Sequence, residues 1–455
     1  MPRRPAVPLL LLAALSCSTP TDPWVDTTVD QWPYVVSPAG MRVFGTSGVL
    51  LILSRFADGL PIPVSSAALQ DQFFASGSGQ LTATYRLASE GQFTLRGKVT
   101  RWYQSGIPSS GLIPGPHNLE DDYVSEAIAA ADAELDLGDY DNDGPDGRPN
   151  SGDDDGFVDG GVVVLNSELN LYCNNGTGHG PHPHSVSDWR PHGAPLLTGD
   201  RRSGGGFIAV GGYVVMSATG CSATGNATPT LAHELGHLLF ALPDLYQAFD
   251  YSPSQPWAYR RWVLGCWELM AAGSGWGCGS GTPSYDGRLG TFGAWSRLAI
   301  GWVAPQIAPP DRDASYDLSA LGHGGTLLRI PFRGNESLLL EYREPQPGDQ
   351  LPPAAGLLVY HLADTLPLFP PTPAGWSQVT LIEADDDDGL RRTELQGGNR
   401  GVAGDAFGIT RSTLRPGQHS RFTAIDGTPL PFELLEITLS PGTHKARVRL
   451  APLNP

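Results

Sequence analysis

"TPTLAHELGHLLFALPDLY", residues 228–246, sets two histidines four apart inside an apolar run. Leu231, Leu235, Leu238 and Leu242 fall on one face at helical spacing, which predicts a helix buried against a sheet. Thr228 is placed to cap that helix, and Pro229 stands in its first turn, where a missing N–H costs nothing. His233 and His237 share another face, so two imidazole nitrogens can meet one ion. Glu234, beside the first of them, can take a proton from water that the metal activates. Two helix histidines can instead be ordinary satisfied polar groups, and HExxH arises by chance in a chain of this length at a rate on the order of a per cent. The zinc reading prevails because the match lies on an amphipathic, cappable helix with further acidic residues just downstream.

The rest of the chain sets the bounds. Its 455 residues allow two or three domains, and a content of 40% hydrophobic and 17% charged residues is that of a folded globular protein. A formal net charge of −18 without any Lys/Arg cluster argues against nucleic acid or an anionic membrane surface as partner. The start, "MPRRPAVPLLLLAALSC", places Arg3 and Arg4 before an apolar run ending at Leu15, the layout of an export signal too short to span a bilayer. "ALSC" resembles a bacterial lipobox, which makes a lipidated Cys17 the expected mature N-terminus, with free secretion as the alternative. The expected location is extracellular or the bacterial cell envelope, with membrane contact only through that anchor. In an exported chain the other cysteines, Cys173, Cys221, Cys266 and Cys278, favour two disulfides. Three pairings are open, and Cys173 with Cys221 and Cys266 with Cys278 is preferred. No CxxC pair supports a cysteine zinc cluster.

Residues 1–17 read as the signal and 18–40 as a polar tether. "GVLLILSRF" and "GQFTLRGKVTRWY" read as strands, "LEDDYVSEAIAAADAEL" as a helix and "GGVVVLN" as a further strand. This order predicts an α+β catalytic domain over residues 41–305. Beyond it, short strands such as "SLLLEY", "GLLVYHL" and "KARVRL" between Pro/Gly loops predict a β-rich, sandwich-like C-terminal domain over 306–455. No solenoid repeat is present.

Between helix and strand, "DLGDYDNDGPDGRPNSGDDDGFVDGG" sets Asp139, Asp141 and Asp143 at alternate positions ahead of Gly144, as a calcium loop opens. Asp153, Asp155 and Asp159 around Gly156 form a second such group. Bunched carboxylates repel unless a cation sits among them, and hard oxygens suit calcium rather than zinc, so a structural calcium ion is expected. The run Asp385 to Asp388 lacks this spacing and reads as solvated. His179, His182 and His184, in "HGPHPHSVSDW", read as a cleft loop or plain surface rather than as metal ligands.

"HELGHLLFALPDLY" resembles the zinc signature of the immune inhibitor A family of secreted metallopeptidases, in which HExxH is followed by a Pro-Asp-Leu-Tyr turn. "GQFTLRGKVTRWY", "YDNDG" with "DGFVDGGVVV", "CWELMAAGSGW" and "FGAWSRLAIGWV" are similar to further landmarks of its catalytic domain. "LLLEYREP", "GLLVYHLAD", "LIEAD" and "GDAFG" resemble the region after it, so the likeness spans about residues 41 to 450. It implies a zincin-like fold and an exported zinc endopeptidase acting on protein or peptide substrates, with His233 and His237 as ligands and Glu234 as general base. It also matches Met270 to a methionine that is either a base beneath the metal or ordinary core. A monomer is expected. The rival reading is a catalytically inactive surface binding or adhesion protein that keeps the fold, although such a protein has no need of the glutamate.

A catalytic zinc takes three protein ligands and keeps one open position. Pro243 biases Leu242 away from helical geometry, so Asp244, seven residues after His237, can fold back as the third ligand. Related zinc peptidases turn at a glycine there, whereas Phe240 and Ala241 stand at that point in this chain. Glu268 in "CWELM" is the alternative carboxylate, and a turn-capping role is the competing reading of Asp244.

Overall fold

The computed structural model describes residues 43–75, 80–112, 119–169, 182–221, 225–248, 256–283, 287–369 and 375–453. The signal and tether, Cys17, Cys173 and His179 lie outside the described residues. Among the described residues no helix is long and apolar enough to cross a membrane.

The first half is built on strands β1 (Gly45–Arg55), β2 (Phe93–Gln104), β3 (Val162–Asn166), β4 (His184–Val186) and, after the hairpin β5 (Leu196–Arg201) and β6 (Phe207–Val210), β7 (Tyr213–Ser217). They form one sheet in the order β2-β1-β3-β7-β4, parallel except for β4, which runs antiparallel along the edge of β7. A parallel sheet must be covered on both faces, and the unbroken apolar runs of β1 and β3 show why. Leu51 and Leu53 enter the core shared with α1 (Ser66–Phe74), α2 (Gln80–Ala88) and α4 (Thr228–Phe240). Leu50 and Ile52 point the other way, into the core under α3 (Glu120–Asp132). After α4 come the short pair β8 (Gln247–Ala248) and β9 (Arg260–Arg261), then α5 (Ala294–Ile300).

The second half carries β10 (Gln306–Ile307), β11 (Ala314–Ser319), β12 (Leu327–Arg333), β13 (Glu336–Arg343), β14 (Gly356–Ala363), β15 (Val379–Leu381), β16 (Phe432–Ser440) and β17 (Lys445–Pro452). They form a five-stranded sheet, β10-β12-β13-β14-β15, and a three-stranded sheet, β11-β17-β16. Leu338, Leu340 and Val359 face Leu318, Val448 and Leu450 in the core between these sheets. Leu339, Leu358 and Tyr360 project from the opposite face into the core of the first half, beside Trp267 and Trp295. Apolar packing therefore runs on across residue 305. A buried polar knot fixes this seam: Arg343 is 2.6 Å from Asp349 and donates to the carbonyl of Trp267, while Glu341 accepts from Tyr360 and from the backbone of Ala294. The whole is a mixed α/β architecture of few helices and several sheets, compatible with an α+β peptidase domain.

One segment after β15 reaches back as a strap. The carbonyl of Leu390 accepts the N–H of Trp262, that of Arg400 accepts the N–H of Cys266, and Arg400 N–H donates to Gly279. Cys266 and Cys278, which the strap grips, are joined by a disulfide, as expected. Cys221 is also disulfide-bonded.

Candidate active site and acidic loop

Helix α4 starts as expected but is capped differently. Ala227 is the N-cap and makes no side-chain bond; Asn226 Oδ1 instead accepts the N–H of Thr228 at 2.9 Å. Thr228 is wholly buried, and its hydroxyl oxygen accepts from Gln72, so burial diverts it from capping. The helix ends at Ala241, which takes the left-handed conformation (φ 51, ψ 27) usually left to glycine. Midway, a Cβ on Gly236 would lie 2.5 Å from Met270 Sδ, so the bare glycine lets the methionine sit directly against the helix.

His233 and His237 are each held from behind. His233 Nδ1 is 3.0 Å from the carbonyl of Leu269, and His237 Nδ1 is 2.5 Å from that of Leu242. A ring nitrogen facing a carbonyl carries the proton, so in the neutral imidazole each Nε2 presents a lone pair. The two Nε2 atoms lie 3.1 Å apart, and Asp244 Oδ1 lies 3.0 Å from the first and 3.3 Å from the second. Asp244 Oδ1 is buried, and its close neighbours are those two imidazoles. Three electron-pair donors aimed at one point repel one another unless a cation stands among them, and two imidazoles with a carboxylate fit zinc. Burial alone would raise the carboxyl of Asp244, but the two imidazoles override it and hold it far below the carboxylate range. Burial would likewise lower His237, but Asp244 and Glu234 push it up to about 9. The pocket is tuned to hold positive charge. Glu234, 6% exposed, is raised mainly by burial, with His233 and His237 opposing.

Glu268 is elsewhere. Its oxygens accept the N–H groups of Met270 (3.1 Å) and Gly293 (2.9 Å), and burial pushes its carboxyl up to about 7. It braces the floor beneath the site and is not among the converging donors.

His184 is neither loop nor plain surface. It lies in β4, its Nε2 2.8 Å from Glu120 Oε1, which also accepts the hydroxyl of Tyr213 at 2.5 Å. Burial would lower this imidazole, but Glu120 outweighs it and raises it. His182 is lowered to about 4 by burial, then by His184 and Arg260. Glu120 reads in sequence only as a favourable acid in a helix first turn. Nothing in the chain order ties it to residues 184 and 213, and the fold alone assembles that group.

The acidic loop regroups the expected aspartates. Asp141 and Asp143 converge with Asp159, so one cluster joins members of both groups. Asp139 and Asp153 are exposed and outside it, and Asp155 accepts the N–H of Phe157. Asp154, which drew no notice in sequence, is buried and accepts the N–H of Gly144 at 2.6 Å. Asp141 Oδ2, Asp159 Oδ1 and Asn142 Oδ1 are buried without partners. Burial, with neighbouring aspartates adding, pushes Asp141 up to about 7 and Asp159 up to about 8. The loop folds back on itself, the N–H of Asn150 donating to the carbonyl of Asp141, so that position along the chain no longer predicts which carboxylates meet.

The family model of the immune inhibitor A peptidase M6 catalytic domain matches residues 71–303, just over half of the chain. No curated protein matches it.

Proposed function

The chain belongs to the immune inhibitor A peptidase M6 family, and on that premise we propose that it is a zinc endopeptidase with His233, His237 and Asp244 as ligands and Glu234 as general base. As a peptidase of that family it acts on protein or peptide substrates. The observation that carries the zinc reading is the convergence of both Nε2 atoms and a buried Asp244 oxygen on one point, with only one another as partners there. Zinc bound there supplies a Lewis acid that polarises the scissile carbonyl and acidifies a water. The protein's own part is to orient both imidazoles through the carbonyls of Leu269 and Leu242, and to take up the proton at Glu234. Burial raises that carboxyl, which suits a base that must later return the proton. The open edge of β4, beside the helix, offers backbone groups along which an extended peptide can lie. Residues 306–455 are proposed as a β-sandwich domain that buttresses a zincin-like catalytic unit ending near 305. Export, with Cys17 lipidated, is part of the proposal and is supported by the N-terminal sequence and by the Cys266–Cys278 disulfide. The acidic cluster is proposed to hold calcium, supported by its unpartnered buried oxygens.

The test is hydrolysis of an unfolded protein such as casein, with a zinc chelator and then with zinc restored. Activity lost and recovered in step with zinc is the expected result. Cleavage that survives complete removal of the metal overturns the reading.

A further inference from the structure

At the two ends of the strap, Glu383, Asp385 and Asp405 each bring a carboxylate oxygen within 4.8 Å of the others. Glu383 and Asp405 are buried, at 1% and 0% exposure. All three accept hydrogen bonds from N–H groups. Glu383 accepts the N–H of Gly389 on Oε2 (2.8 Å) and of Leu390 on Oε1 (3.2 Å). Asp405 Oδ2 accepts Trp267 Nε1 and the N–H of Val402, each at 2.9 Å, and Asp385 Oδ1 accepts the N–H of Asp387. Only N–H groups donate to them, and none makes an ion pair among the described residues. Two of their neighbours do, Asp387 with Arg392 and Asp388 with Arg421, while Asp386 accepts from the hydroxyl and N–H of Ser420. The acidic run thus divides into three aspartates held by outside partners and a separate group that makes no ion pair, with Arg391 acting on Glu383 only through space.

Two independent features point into that group. Asp405 Oδ1 is buried and has no hydrogen-bond partner. A Cβ on Gly404 would lie 2.4 Å from Asp385 Oδ2, so the missing side chain is what lets Asp385 lie against the turn that carries Asp405. Burial, and then Asp405, pushes Glu383 up to about 9, while burial pushes Asp405 up to about 7 against its two hydrogen bonds. N–H groups that favour the ionised forms therefore oppose a setting that penalises them, and a bound cation removes the conflict.

We propose that Glu383, Asp385 and Asp405 form a calcium site that clamps the strap of residues 385–405 onto the floor of the HExxH site. Donors that are all hard oxygens exclude a soft or borderline metal as the best fit, and an irregular, carboxylate-rich cage suits calcium better than magnesium, which demands octahedral geometry and keeps its water. The link to the floor is direct. Trp267, bonded to Asp405, precedes the segment whose Leu269 carbonyl orients His233. This site is separate from the Asp141 cluster and does not depend on the zinc reading.

The experiment is calcium per full-length chain, by elemental analysis after gel filtration in calcium buffer, for wild type, Asp385→Asn, Asp405→Asn and Asp159→Asn. Terbium luminescence excited through tryptophan is read on the same samples. Asp385→Asn and Asp405→Asn should each lose one equivalent that Asp159→Asn keeps, and terbium emission should fall at least fivefold in Asp385→Asn against Asp159→Asn. Asp385 is exposed, so this variant stays folded and decides the matter if Asp405→Asn does not. Wild-type calcium content and emission in Asp385→Asn, or a wild type that binds no calcium, overturns the proposal.

Discussion

The HExxH cluster and the Asp141 cluster both gather electron-pair donors around one point, yet they are held in different ways. His233 and His237 project from one regular helix, and each is locked from behind by a backbone carbonyl. Asp141, Asp143 and Asp159 come from an irregular loop in which Asp141 and Asp159 each have one oxygen tied to a backbone N–H and the other buried without a partner. A helix with its own hydrogen bonds and an apolar face persists without the ion, whereas a loop whose carboxylates repel does not. Metal loss should therefore silence the first site and loosen the second.

The sharpest test of the first half of that contrast is Glu234→Gln. Keeping the shape while removing the proton acceptor should lower peptide hydrolysis by about 10²–10⁴-fold with zinc content unchanged; wild-type turnover on casein would refute the role of Glu234.

Next in size is Asp244→Ala. Loss of a ligand should reduce zinc affinity by more than the roughly 10–100-fold typical of outer partners, with activity falling in step. Glu268→Ala should instead keep its zinc and lose about 1–3 kcal/mol of stability, because two buried N–H groups lose their acceptor. Zinc analysis and chemical denaturation of both variants separate the roles, and the assignment fails if Glu268→Ala is the one that loses metal.

Calcium withdrawal probes the loop. A ligand present at a hundred times its dissociation constant stabilises the fold by about 2.7 kcal/mol, so a calcium-selective chelator should lower the melting temperature by several degrees and expose residues 139–159 to proteolysis. Asp159→Asn should mimic the chelator, and Asp139→Asn should melt like wild type because Asp139 is exposed and outside the cluster. Equal melting of all three proteins, with and without chelator, would return the segment to a solvated loop.

The smallest effect is expected at the end of the helix. Ala241→Gly relieves a left-handed alanine and should add on the order of 1 kcal/mol without altering turnover. A lower melting temperature would mean that the alanine methyl packs more usefully than its backbone conformation costs.

Residues close in sequence were read most fully. The HExxH helix, its buried leucine face and the fold-back of Asp244 follow from spacing within 20 residues, because helical periodicity and a proline-directed turn are local properties. The capping of that helix was misread at Thr228, since the side chain that competes for it, Gln72, lies 156 residues away in sequence. In the acidic loop the wealth of carboxylates is legible in sequence but not which of them meet, because burial and loop closure, rather than order along the chain, choose the partners. His184 with Glu120, and Asp385 with Glu383 and Asp405, gave no usable signal. A sequence declares its chemistry wherever one helix or one turn can present it; a group drawn from separate strands and turns exists only once the sheets have packed, for it is burial that strips those side chains of water and leaves them one another, or an ion, as partners.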